Sequence, residues 1–321
     1  MNTMEKKNEK MNPNRLLVIG SSNTDMVVKI KTLPRPGETV IGGDFLMNAG
    51  GKGANQAVAA ARLGGDVAFI CKTGNDIFGQ QAVYLFQQEG MDTSYVFTDT
   101  ENPSGVALIT VDEHGENCIA VASGANANLM PEDISLAEKA IEGAEYVLMQ
   151  LEIPVQTVEH VAEAAFRKNK KVILNPAPAP ALSLSKSLLQ HLYVITPNET
   201  EAEIISGVKI TDEQSALEAA RVIADMGVQH VIITLGSKGA LLYTASQPTF
   251  VPACKVEAVD TTAAGDVFNG AFTVALSEGK DLLEAIRFAC KASAISVTRI
   301  GAQASAPYRD EVEKFEQIPT Y

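Results

Sequence analysis

The sequence contains no tryptophan, and aromatic residues make up only 6% of it. It also has no apolar run of the roughly 18 residues that a membrane-spanning helix needs. Its four cysteines, Cys71, Cys118, Cys254 and Cys290, are scattered and form no CxxC pair. These absences argue against a membrane span, a zinc site or a disulfide framework, and they favour buried thiols in a reducing cytoplasm.

Positive charge is also scarce in this chain. Lys and Arg together number 26 against 39 Asp and Glu, which gives a net charge of −13. This balance argues against general affinity for nucleic acid or for anionic membranes. It does not exclude phosphate ligands, because the N–H groups at the start of a helix bind anions without any net basicity.

The chain has 321 residues, 46% of them apolar, which is enough for one large domain with an insertion or for two domains. Apolar strand-like runs alternate with helix-like runs, beginning with LLVIG at 16–20. Unbroken apolar runs are typical of strands buried on both faces, and their alternation with helices implies βαβ crossovers. We therefore predict an α/β fold with a doubly wound, mainly parallel sheet flanked by helices.

Two segments interrupt this alternation, KTLPRPGETVIGGDFLMN and SGVALITVDEHGENCIAVASG. Neither has a helical partner, and the second indicates two strands joined by a polar turn at 112–117. We predict a small separate β-sheet, with strands inserted at about 26–48 and 104–124 into a domain that spans 16–321. Residues 1–15 lack the apolar centre of a signal peptide, so we expect a disordered leader.

Polar residues recur at the predicted carboxyl ends of the strands, where open α/β sheets bind their ligands. Asn23 and Asp25 could clamp vicinal hydroxyls of a sugar, although an Asx-turn would also explain them. Asn198 and Glu201 could supply oxygen ligands for hydrated Mg²⁺, or could simply cap a helix. The other residues at such positions are Glu152, Asn175 and Gly236.

The stretch DTTAAGD, at 260–266, precedes an apolar helix-like run. Small residues there let unsatisfied main-chain N–H groups approach an anion, so those of 263–266 could cradle a phosphoryl group. Asp266 could then accept the proton of an attacking hydroxyl. The spacing equally allows Asp266 to be an N-cap and Gly265 a turn residue.

The stretch NAGGKGANQ, at 48–56, could bring main-chain N–H groups to a ligand through Gly50, Gly51 and Gly53. It is not a Walker motif, because Lys52 is followed by glycine and not by Ser or Thr. A plain strand-to-helix turn is the alternative. The stretch GSSNTD lacks the GxGxxG pattern of dinucleotide-binding proteins.

Together, GGKGANQAVAAARLG and DTTAAGDVFNGAF resemble the two signatures of the ribokinase-like, or PfkB, carbohydrate kinases. TPNETEAE and TLGSKG lie between them, and the tail VTRIGAQAS is similar to that of the ribokinases. The resemblance runs from about Leu16 to the C-terminal region. It implies ATP-dependent phosphorylation of D-ribose at the 5-hydroxyl, with Mg²⁺ and an activating K⁺. Another pentose, deoxyribose or a nucleoside as acceptor, or a non-catalytic sugar-binding module on the same fold, remain alternatives.

The resemblance also implies roles for individual residues. Asp266 would be the base, with an anion hole formed by Ala263, Ala264 and Gly265. The implied sugar-binding residues are Asn23, Asp25, Gly51, Lys52 (through its backbone), Asn55, Glu152 and Asp266. The implied ATP-binding residues are Asn198, Thr234, Gly236, Ser237, Gly239, Gly265 and Cys290. The implied K⁺ ligands are Asp260, Thr262, Ser296, Arg299, Gly301 and Ser305, and Glu201 would hold Mg²⁺ through water.

Two positions depart from the family pattern. Cys290 stands where a His or Asn often lies near the adenine, and Ala304 replaces a frequent Pro before Ser305. The inserted strands match the family's lid, which closes over the sugar and commonly pairs two subunits. The resemblance therefore implies a cytoplasmic homodimer that binds ribose and ATP.

Overall fold

The computed structural model describes residues 15–180, 183–245 and 247–315. Almost all of the expected leader, residues 1–14, lies outside the described residues. The strands are β1 (Leu16–Ile19), β2 (Asn23–Lys29), β3 (Phe45–Gly50), β4 (Val67–Gly74), β5 (Val96–Asp99), β6 (Gly105–Val111), β7 (Asn117–Ala122), β8 (Tyr146–Met149), β9 (Lys171–Leu174), β10 (Val194–Ile195), β11 (His230–Thr234), β12 (Gly239–Tyr243) and β13 (Thr249–Pro252). The α-helices are α1 (Lys52–Arg62), α2 (Ile77–Gln88), α3 (Pro131–Leu136), α4 (Glu138–Gly143), α5 (Val155–Arg167), α6 (Lys186–Gln190), α7 (Glu199–Ser206), α8 (Glu213–Asp225), α9 (Ala264–Ser277), α10 (Leu282–Ser296) and α11 (Arg309–Lys314).

Nine strands form the main sheet, in the order β13-β12-β11-β10-β9-β8-β1-β4-β5. The seven strands from β11 to β5 pair in parallel, and β12 and β13 add an antiparallel edge. Helices cover both faces, because alternate strand residues enter opposite apolar layers: Leu16 and Val18 lie in one, Leu17 and Ile19 in the other. The predicted α/β fold is confirmed. None of the helices in the described ranges is long and apolar enough to cross a membrane.

A separate four-stranded sheet, hereafter the lid, has the order β3-β2-β6-β7. β2 pairs antiparallel with β3 and parallel with β6, and β6 and β7 form a hairpin. Its first strand begins at Asn23, earlier than the expected boundary near 26. Asn23 lies opposite Gly50 and Asp25 opposite Asn48, so ladder pairing draws both residues out of the loop after β1. The Asx-turn interpretation of this pair is therefore wrong.

Helices α1 and α9 approach each other closely on one face of the main sheet. The contact depends on Gly270, where an added Cβ would lie 2.7 Å from the carbonyl oxygen of Gln56 and 2.9 Å from the Cβ of Ala59. Since the first neighbour is backbone, a side chain at 270 would force the two helices apart. This contact sets how the start of α1 faces the start of α9.

We expect Gly270→Ala to lower the free energy of unfolding by about 1–2 kcal/mol, because overpacking outweighs the better helix propensity of alanine. Urea denaturation followed by circular dichroism measures the change. Gly265→Ala in the same helix is the matched control, since an added Cβ at 265 meets nothing within 4 Å. Equal stability of the two variants would contradict this account of the contact.

Candidate active site

Asp266 is the third residue of α9, and its side chain is only 6% exposed. Its carboxylate faces α1, where Asn55 Nδ2 donates to Oδ2 at 2.9 Å and Gln56 Nε2 donates to Oδ1 at 2.9 Å. The N-cap of α9 is Ala263, with a left-handed backbone at φ 59°. The interpretation of Asp266 as an N-cap is therefore wrong, because its carboxylate is bound by another helix.

The start of α9 offers three unsatisfied N–H groups. Within the described residues, no acceptor takes the main-chain N–H of Ala263, Gly265 or Asp266. The N–H of Ala264, which we expected to join the cradle, lies 3.2 Å from the carbonyl oxygen of Thr261 and closes a turn. The N–H groups of 263, 265 and 266 thus remain for an anion at the positive end of the helix dipole.

Glu152 follows β8 and ties the glycine-rich turn to the strand ends. Its Oε2 accepts the hydroxyl of Ser21 at 2.5 Å and the main-chain N–H of Lys52 at 2.9 Å. Gly51 joins β3 to α1 with φ 89°, a conformation that favours glycine. The turn therefore places the start of α1 at the cleft. The backbone N–H of Lys52, which we expected to face the sugar, donates to Glu152 instead.

Asn23 has a fixed side-chain orientation. Its Oδ1 accepts from Asn126 Nδ2 at 2.8 Å, so its own amide N–H groups point elsewhere. Asn126 is itself held by the backbone of Ser22, to which it both donates and accepts. Asn23, Asn126 and Glu152 line a cavity of about 310 Å³ next to the lid.

Lys52 lies among four carboxylates, and the charges in the cleft are strongly coupled. Burial alone would lower the pKa of Lys52, but Asp266, Glu152, Glu201 and Asp25 raise it overall. The pKa of Asp25 is raised to about 6, first by burial and then by the charges of Glu152 and Asp266. Burial likewise raises the pKa of Asp266, against the opposing effects of Lys52 and of the amides that bind it.

Asn198 and Glu201 begin α7 across the cleft. Asn198 is the N-cap, and the two side chains form a capping box in which each accepts the other's main-chain N–H, at 2.8 and 2.9 Å. The helix-cap interpretation of this pair is therefore confirmed. Glu201 is 6% exposed, and its pKa is raised by burial. The interaction of its charge with Lys52 and Asp266 places it on the same cleft.

The other expected ATP-binding residues lie around the ends of β11 and α10. Thr234 forms an isolated parallel β-bridge with Asn198. An exposed turn at 236–238, which includes Ser237, leads to Gly239. Cys290 lies in α10 one turn before Ser293, whose hydroxyl donates to the carbonyl of Ala264 at 3.0 Å. Its thiol is buried, and burial raises its pKa to about 12.

The loop at Asp260 meets the loop that follows α10. Asp260 accepts the N–H of Thr262 at 2.8 Å and that of Gly301 at 2.9 Å, and its own N–H donates to the Val297 carbonyl. Ser296 and Ser305 are fully buried beside this junction, and Arg299 pairs with Glu311. The donor set of one carboxylate, main-chain carbonyls and hydroxyls is the kind that suits K⁺.

Sequence reasoning missed the role of Gln56 and Gln150. Both are fully buried, and Gln56 contacts Asp266 directly. A signal was present: Gln56 directly precedes the apolar helical run AVAAA, and Gln150 is next to last in YVLMQL, two positions before Glu152. Asn175, noted at a strand end, contacts Gln56 at 3.0 Å.

A larger cavity, of about 740 Å³, contains none of the expected site residues. It is lined in part by Tyr146 and Lys171, the first residues of β8 and β9, so it lies at the amino ends of these strands. Among the described residues, no group of three or more His, Cys, Asp or Glu side chains is arranged to hold a metal ion.

Comparison with known proteins places the cleft in context. The sequence profile of the family described as "pfkB family carbohydrate kinase" matches residues 13–309. The ribokinase of Haemophilus influenzae is 48% identical over 300 residues, 94% of this chain and 97% of that protein. The deoxyribokinase of Salmonella typhi is 38% identical over 303 residues, 94% of this chain and 97% of that protein. The structure of Arabidopsis thaliana ribokinase complexed with ribose and ATP superposes with a TM-score of 0.89 at 33% identity, covering 95% of this chain and all of that one.

The raised pKa of Asp25 predicts a pH-dependent loss of stability in the protein without sugar. Between pH 3.8 and about 6 the folded state binds more protons than the unfolded state, so stability falls as pH rises through this window. Asp25→Asn should raise the free energy of unfolding by about 1–2 kcal/mol at neutral pH, because the asparagine side chain carries no charge to bury there. The gain should vanish at acid pH, where Asp25 is protonated in both states.

Urea denaturation at a series of pH values measures this effect. Glu213→Gln is the matched control, since it removes one negative charge from an exposed residue on α8, an element that supplies no residue to the cleft. If the two variants change stability equally at every pH, burial and the neighbouring carboxylates do not raise the pKa of Asp25.

Proposed function

Because the chain belongs to the pfkB family of carbohydrate kinases, we propose that it transfers the γ-phosphoryl group of ATP to O5 of D-ribose, giving D-ribose 5-phosphate and ADP. The observation that carries this proposal is the start of α9. There a buried carboxylate, Asp266, lies beside the main-chain N–H groups of Ala263, Gly265 and Asp266 itself, which have no acceptor among the described residues.

In the proposed reaction, Asp266 accepts the proton of the 5-hydroxyl as the O5–Pγ bond forms. The bond between Pγ and the bridging oxygen of ADP breaks, and ADP leaves with those electrons. The N–H groups of 263, 265 and 266 stabilise the negative charge on the phosphoryl oxygens. Because the transition state is loose, positioning and charge stabilisation contribute more than base strength.

The sugar would lie between β2, the start of α1 and Glu152. Asn55 supports this placement, because its Oδ1 is buried and has no hydrogen-bond partner among the described residues. That oxygen can accept a sugar hydroxyl while Nδ2 holds Asp266. The full proposed set is Asn23, Asp25, Gly51, Lys52, Asn55, Glu152 and Asp266. We assign Lys52 a role through its ammonium group, since Glu152 occupies its N–H.

ATP would bind across the ends of β11, α7 and α10. The proposed contacts are Asn198, Thr234, Gly236, Ser237, Gly239, Gly265 and Cys290. Mg²⁺ bound to the phosphates would neutralise their charge. The buried carboxylate of Glu201 fits such an ion, because Mg²⁺ usually keeps several waters and takes one or two carboxylates from the protein.

K⁺ would occupy the junction at Asp260. The proposed ligands are Asp260, Thr262, Ser296, Arg299, Gly301 and Ser305, several through carbonyls. Asp260 accepts hydrogen bonds from Thr262 and from Gly301, so it joins the loop that leads into α9 to the loop after α10. An ion bound at Asp260 would therefore restrict the motion of the loop that leads into α9.

The lid supports a homodimer. Phe45, Leu108, Ile119 and Val121 are 59, 57, 53 and 51% exposed, and a second lid would cover such apolar residues. Closure over the sugar would exclude water, so that the phosphoryl group reaches ribose and not solvent.

We place the reaction in the cytoplasm, where ATP is available and where thiols stay reduced. Cys71, Cys254 and Cys290 are buried as expected, whereas Cys118, on the lid, is exposed.

Deoxyribose is the second candidate acceptor, because the chain is also similar over nearly its whole length to a deoxyribokinase. A coupled ADP-release assay across ribose, deoxyribose, other pentoses and nucleosides separates the two. We expect ribose to have the highest kcat/KM, and activity to rise when K⁺ replaces Na⁺. A better acceptor than ribose would overturn the substrate assignment, and a flat cation response would remove K⁺ from the mechanism.

Asp266→Asn tests the catalytic base. The amide cannot accept the hydroxyl proton, so kcat should fall by at least about 100-fold. Ribose and ATP binding, measured by calorimetry, should survive in part. Glu213→Gln, on α8, which supplies no residue to the proposed site, is the control for charge removal. Near-normal turnover by Asp266→Asn would exclude this residue as the base.

A further inference from the structure

A continuous chain of buried side-chain amides begins at the carboxylate of Asp266. Gln56 Nε2 donates both to Asp266 Oδ1, at 2.9 Å, and to Asn175 Oδ1, at 3.0 Å. Gln150 Nε2 donates to Gln56 Oε1 at 2.5 Å. Gln56 and Gln150 are 0% exposed, so neither touches solvent, and neither belongs to the set proposed to bind sugar or nucleotide.

The chain returns to the start of α9. Asn175 Nδ2 donates to the carbonyl of Thr196 at 3.0 Å, and the Thr196 hydroxyl donates to Asn269 Oδ1 at 2.6 Å. Asn269 Nδ2 in turn donates to the carbonyl of Gly265 at 2.8 Å. That carbonyl belongs to the peptide whose N–H is the unsatisfied N–H of Asp266. One hydrogen-bond network therefore binds both the carboxylate of Asp266 and the peptide group that joins Gly265 to Asp266.

We propose that Gln56 is a positioning residue for phosphoryl transfer, and that Gln150 favours the orientation in which the Gln56 NH₂ group faces Asp266. This inference rests on the proposed function, because it assigns Asp266 as the base. Neither glutamine reacts. Gln56 holds the carboxylate in one rotamer, with a free lone pair directed at the sugar hydroxyl, and Gln150 acts only through Gln56.

The orientation of Gln56 follows from donor and acceptor counting. An amide can rotate so that its oxygen and nitrogen exchange places, and an oxygen facing Asp266 would repel the carboxylate. Rotation would turn the Gln56 oxygen toward two other oxygens, Asp266 Oδ1 and Asn175 Oδ1, and the donation from Gln150 to Oε1 adds to the preference for the observed orientation. Gln150 contributes to this preference without contacting Asp266.

A second consequence concerns the charge of Asp266. A donated hydrogen bond favours the ionised carboxylate, so removing the donor raises its pKa. The charged groups that face Asp266 from other elements are Asp25 on β2, Lys52 on α1, Glu152 after β8 and Glu201 on α7. All of them are retained in the variants proposed below, so a change in the titration of Asp266 reports the lost donor.

The test compares Gln56→Met, Gln150→Met and the control Thr157→Val. Methionine keeps the approximate shape of glutamine and removes the donor. Thr157 is also fully buried, and its hydroxyl donates to the Leu129 carbonyl at 2.7 Å, so its variant loses a buried hydrogen bond away from the cleft. The ¹³Cγ resonance of Asp266, assigned by its absence in Asp266→Asn, is titrated in the full-length protein, and ribose kinetics are recorded across pH.

We expect Gln56→Met to raise the pKa of Asp266 by about one unit and to move the acidic limb of the kcat/KM profile by the same amount. At the pH optimum, kcat should fall about 10–100-fold, with the KM for ATP little changed. Gln150→Met should shift both readouts in the same direction by a smaller amount. Thr157→Val should lower stability and move neither.

The positioning role is overturned if Gln56→Met is folded and titrates like the wild type. If Gln56→Met does not fold, Gln150→Met decides, and an unshifted Asp266 resonance in that variant overturns the proposal. The titration needs no turnover, so it separates this inference from the proposed function. A wild type that phosphorylates no sugar refutes the kinase assignment, whereas the resonance still decides whether Gln56 sets the state of Asp266.

Discussion

The cleft depends on one contact: the carboxylate of Asp266, on α9, accepts amide N–H groups from Asn55 and Gln56, on α1. The two helices are distant in sequence, because the partners in these two hydrogen bonds are 211 and 210 positions apart. They meet because Gly270 allows the backbone of α1 to approach. A buried carboxylate is costly unless it is hydrogen-bonded, so the packing of the helices and the state of the acid are coupled.

Electrostatics give the cleft a second property. Lys52 is surrounded by four carboxylates, and burial raises the pKa of Asp25, Asp266 and Glu201. The surroundings are acidic, in keeping with a net charge of −13. Recognition of phosphate would therefore depend on the N–H groups of 263, 265 and 266 and on bound cations more than on basic side chains. Such a site discriminates by geometry, because N–H groups at a helix start have fixed directions.

The sequence predicted the main sheet well. Strands such as LLVIG are buried on both faces, so they appear in the sequence as unbroken apolar runs. The family resemblance is confirmed by the match over residues 13–309. Local chemistry was harder to predict. Asp266 was equally compatible with an N-cap, and only the structure places the cap at Ala263. Asn198 is the N-cap that its alternative interpretation described. The backbone of Lys52 is engaged by Glu152, so its ammonium and not its N–H is left for ligands.

By itself, the sequence determined the α/β architecture, the family and the two glycine-containing stretches at 48–56 and 260–266, since these depend on periodicity and on residue types that local geometry requires. Tertiary structure alone decided that Asn23 and Asp25 join the lid, that the N–H of Ala264 is occupied, and that Gln56 and Gln150 lie beneath Asp266. The physical reason is that a side-chain amide has no preferred partner along its own chain. Which way it faces is fixed only when distant elements pack together and each buried donor must find an acceptor.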